Sequence, residues 1–417
     1  MSDLDLSCHA PRDTPPLSRE AALERLLGLV QPLGETERVT LEQGLGRVLA
    51  APLVSPIDVP GWDNSAMDGY AVRTEDLGSG PTRLRVSQRV AAGHAAQPLE
   101  PATAARIFTG APVPPGADTV IAQEQCRQDG DWVELPAQVR PGSHIRRAGE
   151  DIRAGSQPLA AGIRLGPQHL GLAAAVGVAE LSVWRPLRVA MLATGDELAM
   201  PGEPLGPGKI YNSNRFVLSA LLRALGCEVL DLGIVADTLA ATLAALEQGA
   251  RAADLVVASG GVSVGEEDHV RAAVQRLGSL DLWRVAVRPG KPVAFGRIGV
   301  TPFLGHPGNP LSLFVAFCLF ARPLVQRMQG IAGVPAAPTR LVRAGFDWPR
   351  PDPRREYRPA HLAPGAGGEP EAQVHPSRSA AALSPLVWAN GLVEIPEGRT
   401  LRRGDPVVFL PFDALLH

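Results

Sequence analysis

Lysine is almost missing from this 417-residue chain: of 40 basic residues other than histidine, only Lys209 and Lys291 are lysine and 38 are arginine. Tyrosine occurs three times, at Tyr70, Tyr211 and Tyr357, and asparagine five times, at Asn64, Asn212, Asn214, Asn309 and Asn390. The four cysteines, Cys8, Cys126, Cys227 and Cys318, are scattered and form no Cys-x-x-Cys. That spacing excludes a zinc ribbon, an iron–sulfur cluster and a disulfide framework. Among nine histidines there is no His-x-x-x-His or HExxH pair. Neither the P-loop nor the GxGxxG pattern is present. Ser263 and Ser312 have no nearby His and Asp, which leaves a hydrolase triad without support. No uninterrupted apolar run approaches the roughly 18 residues of a membrane span. A net charge of −3 gives no basis for bulk nucleic-acid binding. The opening "MSDLDLSCHAPRD" is acidic and lacks the apolar core of a signal peptide, so a cytoplasmic protein is expected.

What is present is clustered. A bias toward Arg, Ala, Gly and Pro accounts for scarcity, yet it leaves the clustering unexplained. "GKIYNSNR" (208–215) alone holds one of the two lysines, two of the five asparagines and one of the three tyrosines. "GWDNSAMDGYAVR" (61–73) packs Asp63, Asn64, Asp68 and Tyr70 into eight positions. Lysine is a compact point charge where arginine is a planar fork. A lysine kept against this bias points to a job that arginine cannot do.

At this length two to four domains are expected, each with an ample core. "LSREAALERLLGLV" has apolar residues at helical spacing, with Ser18 as N-cap. A Gly/Pro-rich stretch with short β-like runs follows ("TRLRVSQRV", "ARIFTG", "DTVIAQEQ"), which predicts a small all-β domain. From "RPLRVAMLATGDEL" the pattern becomes strand–helix–strand–helix–strand with short links, which predicts a parallel sheet with right-handed crossovers. Ligands of such sheets lie beyond the carboxyl ends of the strands. There the loops read "ATGDEL", "IVADT" and "SGGVSVGEEDH". The last segment returns to short strands ("TRLVRAGF", "REYRPAHL", "GLVEIP", "DPVVFL").

Three motifs carry chemistry. In "ASGGVSVGEEDHV", Gly260, Gly261 and Gly265 permit a tight turn and close approach to an oxyanion. The acids Glu266, Glu267 and Asp268 suit Mg²⁺, which favours carboxylate, water and phosphate oxygens; a helix start whose acids merely complement the dipole has the same look. "RVAVRPGKPVAFG" sets Arg284, Arg288 and Lys291 around a Pro-Gly turn, suited to a multiply charged anion. "LGHPGNPLSLF" places a proline-locked turn, Pro307 to Pro310, ahead of an apolar helix. The expected ligand is a phosphorylated, anionic small molecule bound with Mg²⁺.

Taken together, "DNSAMDGYAVR", "FTGAPVPPGAD", "GEDI", "TGDEL", "YNSNR", "SGGVSVGEEDH", "PGKP" and "PGNP", in that order, resemble the MoeA-type molybdopterin molybdenumtransferases from about residue 17 to the end. The resemblance implies a multidomain α/β plus β fold. A discontinuous, partly helical linker domain (1–55 and 153–185) would carry a separate β lobe (56–152) that reaches the partner subunit. A three-layer α/β molybdopterin-binding domain (186–335) with a parallel-type sheet and a C-terminal β-barrel-like domain (336–417) would follow. It also implies a homodimer, with each cleft built from the α/β domain of one subunit and the lobe of the other.

As for activity, the resemblance implies insertion of molybdenum from molybdate into adenylylated molybdopterin with release of AMP. Adenylyl transfer to molybdopterin and a non-catalytic scaffold or carrier are the two rival readings. Asp63, Glu197, Asp268 and Lys291 would be catalytic, the three acids holding Mg²⁺. Thr109, Arg146, Asp151, Asp237, Gly260, Gly261, Ser263, Arg284, Arg288, Pro307, Asn309 and Pro310 would contact substrate. The pterin-adenylating enzyme of the same pathway would be a partner. The family often has lysine where Arg284 and Arg288 stand, and an aliphatic residue where His306 stands, so a pH effect at His306 is expected. Ser377 and Ser379 lie in a stretch that matches only loosely.

Overall fold

The computed structural model describes residues 16–261, 269–290, 293–333, 339–365 and 368–416. The chain forms two compact units: a smaller one of Arg38–Leu45 and Ala51–Ser182, and a larger one of the remaining segments. Helix α1 (Arg19–Gly28) starts at Ser18, whose hydroxyl accepts the Ala21 amide, as its sequence predicts.

In the smaller unit β1 (Asn64–Ser65), β2 (Gly69–Val72), β3 (Thr82–Val90), β4 (Thr103–Ile107), β5 (Thr119–Ala122), β6 (Arg127–Asp129), β7 (Trp132–Leu135) and β8 (Ile145–Arg146) follow in turn. Six of them make one sheet in the order β5-β2-β4-β3-β7-β6, while β1 pairs with β8. Alternation along β2 sends Tyr70 and Val72 to one apolar cluster and Ala71 to another. Helix α2 (Pro167–Ala175) lies in the returning segment, with Pro167 at its first turn.

The larger unit contains β9 (Arg188–Thr194), β10 (Leu198–Ala199), β11 (Ile210–Tyr211), α3 (Ser213–Ala224), β12 (Glu228–Val235), α4 (Leu239–Ala252), β13 (Leu255–Ser259), α5 (His269–Leu277), β14 (Gly278–Trp283), β15 (Val287–Arg288), β16 (Val293–Ile298) and β17 (Thr301–His306). The sheet order is β12-β9-β13-β17-β16-β14. Pairs from β12 to β17 are parallel; β16 and β14 are antiparallel additions. Along β9, Val189 and Met191 face one core and Ala190 and Leu192 the other, which makes three layers. Strands buried on both faces read as continuous apolar runs, which is why "RVAMLAT" does not alternate in hydropathy.

Helices α6 (Pro310–Ala316) and α7 (Arg322–Met328) run on through a π-turn at Phe317–Ala321. Over Pro310–Met328 this helix is long and apolar enough to cross a membrane, a length the runs of the sequence did not suggest, but 94% of it is buried inside the fold. Ala22 and Leu26 of α1 join the core formed by β9, α3, α6 and α7, because its apolar stripe meets theirs.

The end of the chain holds β18 (Arg340–Ala344), β19 (Arg355–Pro364), β20 (Pro370–Val374), α8 (Ser384–Trp388), β21 (Gly391–Ile395) and β22 (Pro406–Pro411). Pairing runs β19-β20-β18-β22-β21 and returns from β21 to β19, which closes a five-stranded barrel; β15 adds to β19 in parallel. The expected α/β plus β architecture, with a C-terminal barrel, is what the chain adopts.

Candidate functional site

The sheet order decides where a ligand fits. After β9 the chain crosses to β12 on one side, then returns past β9 to β13 on the other. Loops leaving β9 and β13 therefore diverge, and a crevice opens at their carboxyl ends. A cleft of about 410 Å³, its mouth included, lies there. Its lining comes from the end of β9 (Thr194), the next turn (Glu197, Leu198), β11 with the start of α3 (Ile210 to Asn214), the end of β13 (Ser259, Gly260) and the turn before α6 (Gly308, Pro310).

Local chemistry holds each piece in place. Asn212 caps α3 by accepting the Arg215 amide at 3.1 Å. Asn214 donates to Ser259 Oγ at 3.1 Å and to the Gly308 carbonyl at 2.7 Å, tying three loops together. Among the described residues each asparagine keeps one buried amide atom without a partner, Asn212 Nδ2 as donor and Asn214 Oδ1 as acceptor. Buried polar atoms are normally paired, so these two stand out beside the cleft. The amino end of α3 also adds a positive dipole end at the cleft. Gly261 has φ +65°, and a Cβ there would lie 2.8 Å from Thr194 Oγ1 and 2.5 Å from Val270, so only glycine lets the loop pass so close to β9.

Of the residues expected from sequence, Glu197, Gly260 and Pro310 line this cleft. Pro307 and Asn309 flank Gly308 in the same turn, and Asn309 is exposed. Asp237 is half-buried between β12 and α4, also at the carboxyl edge of the sheet. Ser263, Asp268 and Lys291 lie outside the described residues.

Neither Arg284 nor Arg288 lines the cleft. Arg288 reaches Asp352 Oδ2 at 2.8 Å and stands 3.9 Å from Glu356, because the β15–β19 pairing brings those acids beside it. Arg354 and then Arg288 hold the Asp352 carboxyl well below the usual carboxylate range. Arg288 is here a partner of barrel acids. The Arg284 carbonyl accepts the Leu17 amide at 2.8 Å. His306 ends β17 and is fully buried, which pushes its pKa down to about 4. It is therefore neutral over the physiological range, and the expected pH effect moves to acid conditions. In the barrel loop the Ser377 carbonyl accepts Arg358 Nη2 at 2.5 Å, and the Ser379 amide donates to Ser377 Oγ at 3.3 Å.

In the smaller unit, β1 gathers Asp63, Thr109 and Arg146 on one rim. Asn64 is opposite Arg146 in the β1–β8 ladder, and the Ser65 carbonyl accepts the Gly110 amide at 2.8 Å. Asp63 accepts from Arg147 Nη1 at 2.5 Å and from the Ala148 amide at 2.9 Å. Slight burial pushes its pKa up, but these two donors outweigh it and hold the carboxyl below its ordinary value. Thr109 donates twice, through its amide and its hydroxyl, to Asp68 Oδ1, each at 2.8 Å. Asp151 is exposed, and its amide donates to the Val59 carbonyl at 3.0 Å.

Thr194, Ser259, Tyr211, Asn212 and Asn214 were not singled out as site residues. Clustered scarce residues in "YNSNR" were the signal for the last three; for Thr194 and Ser259 only the strand order shows their place.

Three family models cover most of the chain: the MoeA N-terminal region (domain I and II) at 17–177, the probable molybdopterin binding domain at 190–327, and the MoeA C-terminal region (domain IV) at 342–412. The molybdopterin molybdenumtransferase of Haemophilus influenzae is 38% identical over 406 residues, covering 96% of this chain and all of that protein. That settles the family. The chain belongs to the MoeA family of molybdopterin molybdenumtransferases. Its Bacillus subtilis member is 33% identical over 92% of this chain and 91% of its own length. The crystal structure of the molybdopterin biosynthesis moeA protein from Pyrococcus horikoshii superposes with a TM-score of 0.81 at 28% identity, over 95% of this chain and all of that one. The molybdopterin-binding model of the family falls on the segment that builds the cleft.

Mg²⁺ is the metal the resemblance implies. Among the described residues no group of three or more His, Cys, Asp or Glu side chains converges. One acid, Glu197, lines the cleft together with Thr194 and Ser259. That donor set fits Mg²⁺, which often takes one or two carboxylates and completes its shell with water and substrate phosphate.

Proposed function

We propose that this chain transfers molybdenum from molybdate to adenylylated molybdopterin and releases AMP. The observation that carries the reading is the cleft at the strand-order switch, which the molybdopterin-binding family model spans and which is lined by Glu197, Thr194, Ser259, Asn212 and Asn214. Asn212 Nδ2 and Asn214 Oδ1 would orient the polar edge of the ligand, and the amino end of α3 would face its phosphate charge. Glu197, with Asp268, would hold Mg²⁺, which polarises a phosphoanhydride when bound. An oxygen of molybdate would attack the pterin-side phosphorus and displace AMP; the Mo–O bond of the resulting Mo–O–P link would then break as the two dithiolene sulfurs bind the metal, leaving the oxygen on the phosphate. The protein's share is positioning and charge neutralisation.

The same reading makes the molecule a cytoplasmic homodimer of four-domain subunits, with Asp63, Thr109, Arg146 and Asp151 of one lobe completing the cleft of the partner. Lys291 would neutralise molybdate. The pterin-adenylating enzyme would supply the substrate.

The test mixes purified protein, adenylylated molybdopterin, Mg²⁺ and micromolar molybdate and follows AMP over time. Molybdate-dependent AMP release, coupled to reconstitution of an apo-molybdoenzyme, is expected. Efficient adenylylation of molybdopterin by ATP instead would assign the preceding step. Retained substrate without any release would make the protein a carrier or scaffold.

A further inference from the structure

We propose that Lys209 is a positioning residue of the cleft, its ammonium locking the turn that presents Glu197; the inference rests on the function proposed above. Strand β9 ends at Thr194, and a four-residue turn follows, closed by the Leu198 amide donating to the Gly195 carbonyl at 3.1 Å. Asp196 and Glu197 are its central residues. Rotation of the peptide unit between the two would interconvert type I and type II turns. Type II needs a positive φ at the second central position, and Glu197 is not among the non-glycine residues with positive φ. Gly195 is at φ +145°, and a Cβ there would lie 2.5 Å from Glu197 Oε2, so the carboxylate folds back over it. Rotating that central unit would carry the carboxylate away from its place in the lining.

Two contacts oppose that rotation. The Glu197 carbonyl accepts the Ile210 amide at 2.7 Å, part of the β10–β11 pairing. The Asp196 carbonyl, on the unit that would rotate, accepts Lys209 Nζ. Lys209 is exposed, and ordering so long a side chain in water costs rotamer freedom. An exposed lysine spent on a single carbonyl needs a reason, and composition supplies one. Lys209 is one of two lysines against 38 arginines. A compact ammonium can sit on one carbonyl at the end of a narrow turn; the planar guanidinium fork is shaped for two acceptors.

The experiment compares wild type, Lys209→Met, Lys209→Arg and Lys209→Cys before and after aminoethylation, with wild type given the same reagent as control. Amide hydrogen exchange is read on the peptide spanning 193–201, and kcat and KM for molybdate are read from AMP release. Both Lys209→Met and Lys209→Arg should exchange the turn amides at least tenfold faster. Their kcat should fall about tenfold or more with KM within about threefold, and aminoethylation of Lys209→Cys should restore both. Wild-type exchange in Lys209→Met, full kcat in Lys209→Arg, or a rise in KM alone would overturn the inference. Should wild type release no AMP, the functional reading fails by itself, and the exchange measurement still decides the role of Lys209.

Discussion

Glu197 and Asp63 are both acids expected at the site, and the fold treats them in opposite ways. Glu197 sits on a turn at the end of a strand buried from Val189 to Thr194, in a concave cleft with two unpaired amide atoms beside it among the described residues. Asp63 sits on the rim of the smaller unit with both carboxylate oxygens engaged, by Arg147 and by the Ala148 amide. The first is poised to meet a ligand; the second is already satisfied by its own loop. A charged residue in a motif thus gains its chemical meaning from what surrounds it: an acid with its donors in place can act on a ligand only by exchanging them.

The largest expected effect tests the cleft side of that contrast. Glu197→Ala should fold normally and lower molybdenum transfer about 1000-fold, roughly 4 kcal/mol of barrier, measured as initial rates of AMP release. A loss below tenfold would remove Glu197 from the site and erase the contrast.

Next in size is a pH effect in the cleft-bearing unit. The folded pKa of His306, about 4, lies below its ordinary 6.5. As pH falls below 6.5 the unfolded chain takes up the proton first, so stability present above 6.5 is lost progressively down to about 4. The group accounts for about 3 kcal/mol across that window. Urea midpoints between pH 7 and 4 should fall less steeply in His306→Asn; equal slopes would place a partner on the ring.

Asp63→Asn keeps the Ala148 contact geometry and loses the charge. AMP release should drop at least tenfold, about 1.4 kcal/mol, with unchanged circular dichroism and sedimentation. Activity within that margin of wild type would leave Asp63 with the local role its hydrogen bonds already describe.

The smallest effect concerns Arg288. Its pairing with Asp352 is half-exposed, so Arg288→Lys should cost below about 1 kcal/mol in thermal unfolding and change turnover less than threefold. A tenfold rise in KM for molybdate would return Arg288 to the substrate contacts.

The legible parts of the site were those whose residue type is costly to misplace. Glycines at 260 and 261 could be read as a close approach because no other residue tolerates it. Glu197 came with the resemblance of "TGDEL", and its place agrees with the rule that loops after the strands of a parallel sheet meet the ligand. Thr194 and Ser259 gave no such sign: both are common strand-end residues, and only the β12-β9-β13 order sets them side by side. The ion pairs of Arg288 were hidden for a related reason. Three cations near a Pro-Gly turn look like an anion site until the β15–β19 pairing places two barrel acids beside the middle one.

By itself the sequence determined the strand and helix succession and the N-cap of α1, because periodicity, caps and turns are local properties of the chain, while the three-layer class and the barrel-like end came with the resemblance of its motifs. The tertiary structure alone decided that α1 packs into the α/β core, which atoms of Asn212 and Asn214 stay free, which cations are spent on acids, and that His306 is neutral. Those depend on which distant segments come together, and burial and pairing are properties of that meeting and not of any one stretch.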